Sequence, residues 1–353
     1  MARLKIGLIG CGNIAQQAHI PNLLRHRKAE LVAFADINRS QRDLAAQRAP
    51  RALAFSDYEQ LLEKCDLDAV MICAPNLLHA DMTIAALKNG VNVYLEKPLA
   101  TRLDDARLVM RAWQSNRAVG VMGFNFRFNP LYQAVRERVT SGELGELLIV
   151  RSVFSTAPKN LPGWKLTRRG GGGVLLDLAS HHLDLIRYFF SQEIAEVLAI
   201  VESRRSENDT AWVQLRLANG LMVQSFFSSA AAEEDSFEIF GEKGKLTVDR
   251  YRSLAVRATQ SRLTGVRFDQ LKAGFRNLRN TRYLFEKMRA AAHEPSYYAA
   301  LDSFLEAVGS GENRDPNLYD GYRNFEVIAA AEESAKLKMA VRVDADVAAS
   351  RCA

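Results

Sequence analysis

The chain has 353 residues, 48% apolar and 25% charged. That balance fits an ordinary globular protein of roughly two domains and excludes a disordered, collagen-like or disulfide-stapled chain. The net charge of +6 is confined to the stretch from Arg257 to Glu294, where nine Lys or Arg meet three acids, so the rest of the chain is balanced and the excess describes one segment.

The first third alternates short apolar strands with helices. Strands are predicted at Leu4–Ile9, Glu30–Asp36, Ala52–Phe55, Ala69–Cys73, Val91–Leu95 and Val119–Met122. Helices are predicted from the turn after Ile9 to about Arg27, then at Arg39–Arg48, Tyr58–Lys64, His79–Lys88 and Leu103–Ser115. Such alternation implies right-handed β-α-β units and a doubly wound parallel sheet, assigned to residues 1–122. The pattern changes after Gly123. A helix at Leu131–Thr140 leads to a long strand, Leu147–Phe154, and then a helix at Val174–Phe190. Strands follow at Ala195–Arg204, Thr210–Ala218, Leu221–Ser229, Ser236–Phe240 and Lys245–Asp249, and Asn219-Gly220 marks a hairpin. Helices return after about Leu271. Residues 123–353 are therefore predicted as an α+β domain on an open, mostly antiparallel sheet, giving an α/β protein overall.

Cys11, Cys65, Cys73 and Cys352 form no Cys-x-x-Cys pair, which argues against zinc ribbons and thioredoxin-like sites. No apolar run approaches the ~20 residues that span a bilayer. The strand pattern begins at Leu4 and leaves no room for a signal peptide. The expected setting is a reducing cytoplasm.

Chemistry concentrates at four places. Gly10-Cys-Gly12-Asn13-Ile14-Ala15 joins the first strand to the first helix as Gly-x-Gly-x-x-Ala. The first Gly permits a tight turn, Gly12 lets backbone approach a pyrophosphate, and the helix N-terminus offers free N–H groups. Asp36 ends the second strand, where a carboxylate can hold ribose hydroxyls and repel a 2′-phosphate, so NAD is favoured over NADP; Arg39 could offset that preference. The strand ends Ala74-Pro75-Asn76 and Glu96-Lys97-Pro98 lie on the carboxyl edge of the sheet, where ligands bind in open α/β folds. Four glycines, Gly170 to Gly173, precede a helix on which Asp177, His181 and Asp184 fall at i, i+4 and i+7, on one face. A carboxylate one turn from an imidazole can fix its tautomer. His182 points about 100° away and reads as structural. With no third ligand nearby, no metal is expected.

Together these residues resemble the Gfo/Idh/MocA oxidoreductase family. The resemblance rests on Gly10-Cys-Gly-Asn-Ile-Ala, Ala74-Pro-Asn-Leu-Leu-His79, Glu96-Lys97-Pro98-Leu-Ala, the Gly-rich run through Asp177 to Asp184, and a tail, Gly321–Val343, like the family's closing helix (near 321–339) and strand. It implies an N-terminal Rossmann domain and a C-terminal domain that binds substrate and assembles a homodimer or homotetramer through its sheet. It implies hydride transfer between NAD(P) and a secondary alcohol of a sugar, inositol or nucleotide sugar. It assigns Lys97 to substrate and cofactor, with Pro98 in cis, and Asp177 and His181 to catalysis and substrate. Arg127 would line the substrate pocket. Gly10, Gly12, Asn13, Ile14, Asp36, Arg39, Ala74, Pro75, Asn76, His79, Glu96 and Trp164 would hold the cofactor, Trp164 lying in a segment, Trp164-Lys165, that reaches it in some members. Ala179 replaces a Gly common in the family's helix, and the stretch from Arg257 to Glu294 is longer than in compact members.

On this reading His181, oriented by Asp177, takes the hydroxyl proton, and Lys97 stabilises developing alkoxide charge. Two alternatives share the fold: glycoside cleavage by oxidation and elimination, and a cofactor-binding regulator without catalysis. Nothing like a nucleic-acid module accompanies the basic segment, so no nucleic-acid partner is expected. Leu271, Phe275 and Leu278 form an apolar stripe there, with Lys272, Arg276 and Arg279 beside it as a solvated flank, an anion-attracting lid or subunit contact, or a membrane-surface face.

Overall fold

The computed structural model describes residues 3–260 and 281–343, so the stripe Leu271–Leu278 and its basic flank lie outside the described residues. The described chain divides into two compact units, residues 3–125 with 290–325, and residues 126–260, 281–289 and 326–343.

In the first unit, β1 (Leu4–Ile9), β2 (Ala29–Ala35), β3 (Leu53–Phe55), β4 (Ala69–Ile72), β5 (Asn92–Leu95) and β6 (Gly120–Met122) form one sheet in the order β3-β2-β1-β4-β5-β6. Every pairing is parallel. The central strands are apolar on both faces, as a sheet covered by helices requires: β4 is buried throughout and β1 from Ile6 onward. Those helices are α1 (Ile20–Arg25), α2 (Arg39–Arg48), α3 (Tyr58–Lys64), α4 (His79–Lys88) and α5 (Leu103–Gln114). Asn38 and Asp57 start α2 and α3 by accepting from the backbone N–H groups of Ser40 and Glu59. The first helix departs from expectation. A π-helical turn, Ala15–His19, precedes α1, and the helix ends at Arg25. The strand order reverses between β1 and β4, which opens a crevice at their carboxyl ends.

Residues 290–325 also belong to this unit, which corrects the expected second domain of 123–353. The reason is an open sheet edge. Gly120 N–H donates to Asn313 Oδ1 at 2.9 Å, Val121 bridges Asn317, and Met122 N–H donates to the Pro316 carbonyl at 2.9 Å. The helix Ser296–Ser310 presents Tyr297 edge-on to His19 and Phe304 to Tyr94, with centroids 5.6 and 5.5 Å apart. His26 and Lys28 meet Asp302 at 3.2 and 2.9 Å.

The second unit is built on eight strands: β7 (Leu147–Ser155), β8 (Ile194–Glu202), β9 (Thr210–Leu217), β10 (Met222–Ser228), β11 (Glu234–Gly241), β12 (Gly244–Asp249), β13 (Arg257–Gln260) and β14 (Val341–Arg342). Their order is β13-β12-β11-β7-β10-β9-β8-β14. All pairings are antiparallel except β7 with β10 at the centre. The Asn219-Gly220 hairpin joins β9 to β10, with Gly220 at φ 89. The helices α6 (Pro130–Thr140) and α7 (Ser180–Phe190) supply Tyr132 and Phe189, which pack with Phe237 of β11. The other face carries Leu198, Ile200 and Trp212, exposed by 38%, 59% and 38%. Two elements differ from expectation. The basic segment opens as the edge strand β13, and the helix expected at 174–190 begins with a π-helical turn, Leu175–Ala179. The closing helix runs Leu318–Leu337, starting early because Asn317 Oδ1 accepts from the N–H of Tyr319.

Candidate active site

In the first unit the glycines of the first turn do different work. Gly10 stands at φ 90, and a Cβ there would come within 2.7 Å of the Cys73 carbonyl and the Ala74 nitrogen, so the β1 and β4 ends can approach only over a glycine. A Cβ on Gly12 would meet nothing within 4 Å. That leaves backbone open to a large ligand, as a pyrophosphate needs. Asn13 is exposed and Ile14, half-buried, adopts helical φ/ψ ahead of the π-helical turn.

Asp36 is fixed by backbone. Its Oδ2 accepts from the Cys11 N–H at 2.7 Å and its Oδ1 from the Asn38 N–H at 2.8 Å. The carboxylate is thus held at the Gly-rich turn. Arg39 lies 87% exposed beside Asp43; Arg42, which the sequence reading passed over, binds the Asp36 and Ile37 carbonyls at 2.6 and 3.0 Å. Cys11 is buried, and burial together with the Asp36 charge pushes its thiol up to about 12, so it stays protonated.

The loop Ala74-Pro75-Asn76 runs into a 3-10 turn at Asn76–Leu78, and Asn76 is buried. His79 follows at the start of α4. It is 1% exposed, and its two ring nitrogens lie 2.7 Å from the Pro98 carbonyl and 2.9 Å from the Ala74 carbonyl. Its ring sits between the two strand-end loops, close to a carbonyl oxygen of each. Glu96, 8% exposed, is likewise engaged by protein, with Oε1 2.7 Å from His19 Nε2. Lys97 follows, half-buried, and the Lys97–Pro98 peptide is cis.

In the second unit the glycine run accommodates backbone. A Cβ on Gly170 would come within 2.3 Å of the Trp164 carbonyl oxygen, and one on Gly172 within 2.1 Å of that of Lys165. The 3-10 turn Gly163–Leu166 therefore lies directly on the Gly-rich loop. This brings Lys165 to Asp177: Nζ donates to Oδ1 and Oδ2 at 3.0 and 3.1 Å, and both side chains are partly exposed. Sequence spacing gave no sign of this pair, since the two residues share no regular element. His181 is half-buried and stacks on Phe126, with centroids 4.3 Å apart and 22° between planes.

Asp184 leaves the face predicted for it. A π-helical turn spaces its hydrogen bonds by five residues, so the 3.6-residue period slips between Asp177 and Asp184. Asp184 is 1% exposed, and Arg127 Nε and an Nη donate to its two oxygens at 2.9 and 2.6 Å. Arg127, expected in the substrate pocket, is 7% exposed, and this fork braces the second unit's core. His182 is fully buried, its Nε2 3.0 Å from Asp235 Oδ1. Burial pushes the His182 pKa down against the pull of Asp235. Burial alone would raise Asp235, but the Arg250 charge and hydrogen bonds from His182 and Tyr132 hold it well below the usual carboxylate range. Among the described residues no three His, Cys, Asp or Glu side chains gather as a metal site, and no helix is long and apolar enough to cross a membrane.

The reversed strand order, the open Gly12 and the tethered Asp36 place the first unit in the class of dinucleotide-binding domains. Residues 4–124 match the NAD-binding Rossmann fold of the GFO/IDH/MocA oxidoreductase family, residues 132–247 match that family's C-terminal domain, and the chain belongs to this family. A myo-inositol 2-dehydrogenase of Thermotoga maritima is 27% identical over 97% of this chain and 99% of its own. A 1,5-anhydro-D-fructose reductase of Ensifer adhaerens is 31% identical over 68% of this chain and 74% of its own. Among solved structures, the WlbA dehydrogenase from Bordetella pertussis in complex with NADH and UDP-GlcNAcA shares the fold at TM-score 0.84 and 22% identity, over 98% of this chain and 99% of that one. The protein is an oxidoreductase whose first unit is an NAD-binding domain.

Proposed function

We propose that the protein oxidises a secondary alcohol of an inositol, sugar or sugar derivative with NAD, or reduces the corresponding ketone. The observation that carries this reading is the partly exposed set Lys165, Asp177 and His181 at the head of the Gly-rich helix, in a chain whose first unit binds NAD. The relatives named for inositol and anhydro-sugar substrates support the polyol class.

Gly10, Gly12, Asn13, Ile14 and the Ala74–Asn76 loop would receive the cofactor's phosphates, and Asp36 its ribose. Bound NAD supplies the hydride acceptor. In the direction of oxidation His181 takes the hydroxyl proton as the carbon–oxygen bond becomes a carbonyl. Lys97 donates to the substrate oxygen and stabilises its developing charge. The Lys165–Asp177 pair offers a donor and an acceptor to neighbouring hydroxyls. Asp36 favours NAD over NADP through repulsion of a 2′-phosphate.

We further place the enzyme in the cytoplasm as a homodimer or homotetramer. Free thiols at Cys11, Cys65 and Cys73 fit a reducing compartment, and Leu198, Ile200 and Trp212 on the open sheet face fit a subunit contact. The test is cofactor reduction against inositols, hexoses, anhydro-sugars, uronates and nucleotide sugars, with NAD and with NADP. Turnover of at least one polyol with NAD is expected. Binding of NAD with turnover of none defeats the reading, and faster turnover with NADP defeats the role given to Asp36.

A further inference from the structure

The proton-taking role of His181 leaves unexplained a buried charged cluster next to it. Asp235, on β11, is fully buried and accepts from Arg250 Nε at 2.6 Å, from the Tyr132 hydroxyl at 2.5 Å and from His182 Nε2 at 3.0 Å. The backbone repeats the link, with Arg250 N–H donating to the Asp235 carbonyl at 2.8 Å. Arg250 side chain is only 11% exposed. A carboxylate and a guanidinium removed from water gain little net stability, so the pair invites a second explanation.

Its other contacts supply one. The guanidinium carbon of Arg250 lies 4.2 Å from the centroid of Phe126. The same ring stacks on His181. Phe126 is 6% exposed, and Phe154 and Tyr132 flank it with centroids 6.2 and 6.0 Å away. The ring is therefore pinned, and it presents a flat surface to the imidazole. We propose that Phe126 and Arg250 are positioning residues for His181: Asp235 fixes the guanidinium, the guanidinium fixes the phenyl ring, and the ring holds the imidazole in one rotamer for proton transfer. This rests on the reading of His181 as the proton acceptor. An imidazole with a free χ2 reaches the hydroxyl proton in a fraction of encounters; a stacked one is aimed before substrate binds. Phe126 touches neither substrate nor cofactor in this scheme.

The test is a double-mutant cycle on the full-length enzyme with its best polyol substrate. Phe126→Leu keeps the volume class but loses the flat face, and should lower kcat by about 10-fold, well short of the loss of a proton-transfer group. NAD affinity should be unchanged. Phe126→Tyr keeps the face and should hold kcat within about 2-fold of the original, which a merely volumetric role would not require. In a His181→Ala background, Phe126→Leu should cost nothing further. Independently of activity, the His181 ring protons of the cofactor-free protein should resonate upfield and return toward ordinary positions in Phe126→Leu but not in Phe126→Tyr. An equal loss from Phe126→Leu with and without His181, or unchanged kcat in Phe126→Leu, overturns the positioning proposal alone. Full activity in His181→Ala overturns the proton-acceptor reading and this proposal with it.

Discussion

Two glycines two residues apart should fail in opposite ways when each gains a methyl group. Gly10→Ala places a Cβ 2.7 Å from the Cys73 carbonyl at a φ of 90, so it should lower Tm and reduce folded yield. Gly12→Ala adds its methyl where nothing lies within 4 Å, so it should leave Tm alone and weaken NAD binding by about 10-fold or more, read by fluorescence titration. Lys97→Ala should cut kcat by about 10²–10⁴-fold, the usual worth of a positioned proton-transfer or oxyanion group. A third residue-scale expectation concerns acid. Burial lowers the pKa of His79 and of His182, so on acidification the unfolded chain binds protons first. The stability they contribute is complete above the ordinary histidine range, about pH 6.5, and is lost as pH falls below it. Each adds a slope of up to about 1.4 kcal/mol per pH unit. His182→Gln keeps a donor for Asp235 and removes the titration, so its Tm should fall less steeply between about pH 7 and pH 5. At this scale the sequence revealed groups bound by local geometry: Gly10, Gly12, Asp36 and Lys97 each sit where a strand ends. It did not reveal Lys165 with Asp177, or Asp235 with Arg250 and His182, because partners separated by 12, 15 and 53 residues are chosen by packing.

The Gly-rich helix shows what a local period misses. A 3.6-residue repeat predicts one face for Asp177, His181 and Asp184, and the π-helical turn at Leu175–Ala179 breaks that repeat where the chemistry lies. Asp184 consequently pairs with Arg127 in the core. The run Gly170 to Gly173 was legible as special but its purpose was not, since that purpose is the turn Gly163–Leu166 pressed on it. Gly172→Ala should therefore push that turn away, because its Cβ would come within 2.1 Å of the Lys165 carbonyl oxygen. The expected result is a raised KM for the polyol, by about 10-fold, with NAD affinity unchanged; equal KM would separate Lys165 from substrate binding. The six parallel strands were legible because each is a short apolar run between helices. The parallel pairing of β7 with β10 was not, since turn chemistry speaks only for strands adjacent in sequence.

At the scale of the whole molecule, the exposed face with Ile200 and Trp212 argues for assembly. Ile200→Asp with Trp212→Asp should shift sedimentation toward the monomer while leaving NAD binding in place; unchanged sedimentation would count against assembly through this face. The division into two units had to be read from the structure, because nothing in the local pattern of residues 290–325 says that they return to the first sheet. That return has a consequence for synthesis. The strand β6 emerges from the ribosome long before Asn313, Pro316 and Asn317, which close its edge. Until they arrive, the N-terminal sheet carries an unpaired edge, and Tyr94 and His19 lack the aromatic partners that the helix Ser296–Ser310 provides. The nascent NAD-binding unit is thus an incomplete domain until residues 290–325 have been made. The intervening unit must be made, and kept from pairing with that edge, in the meantime.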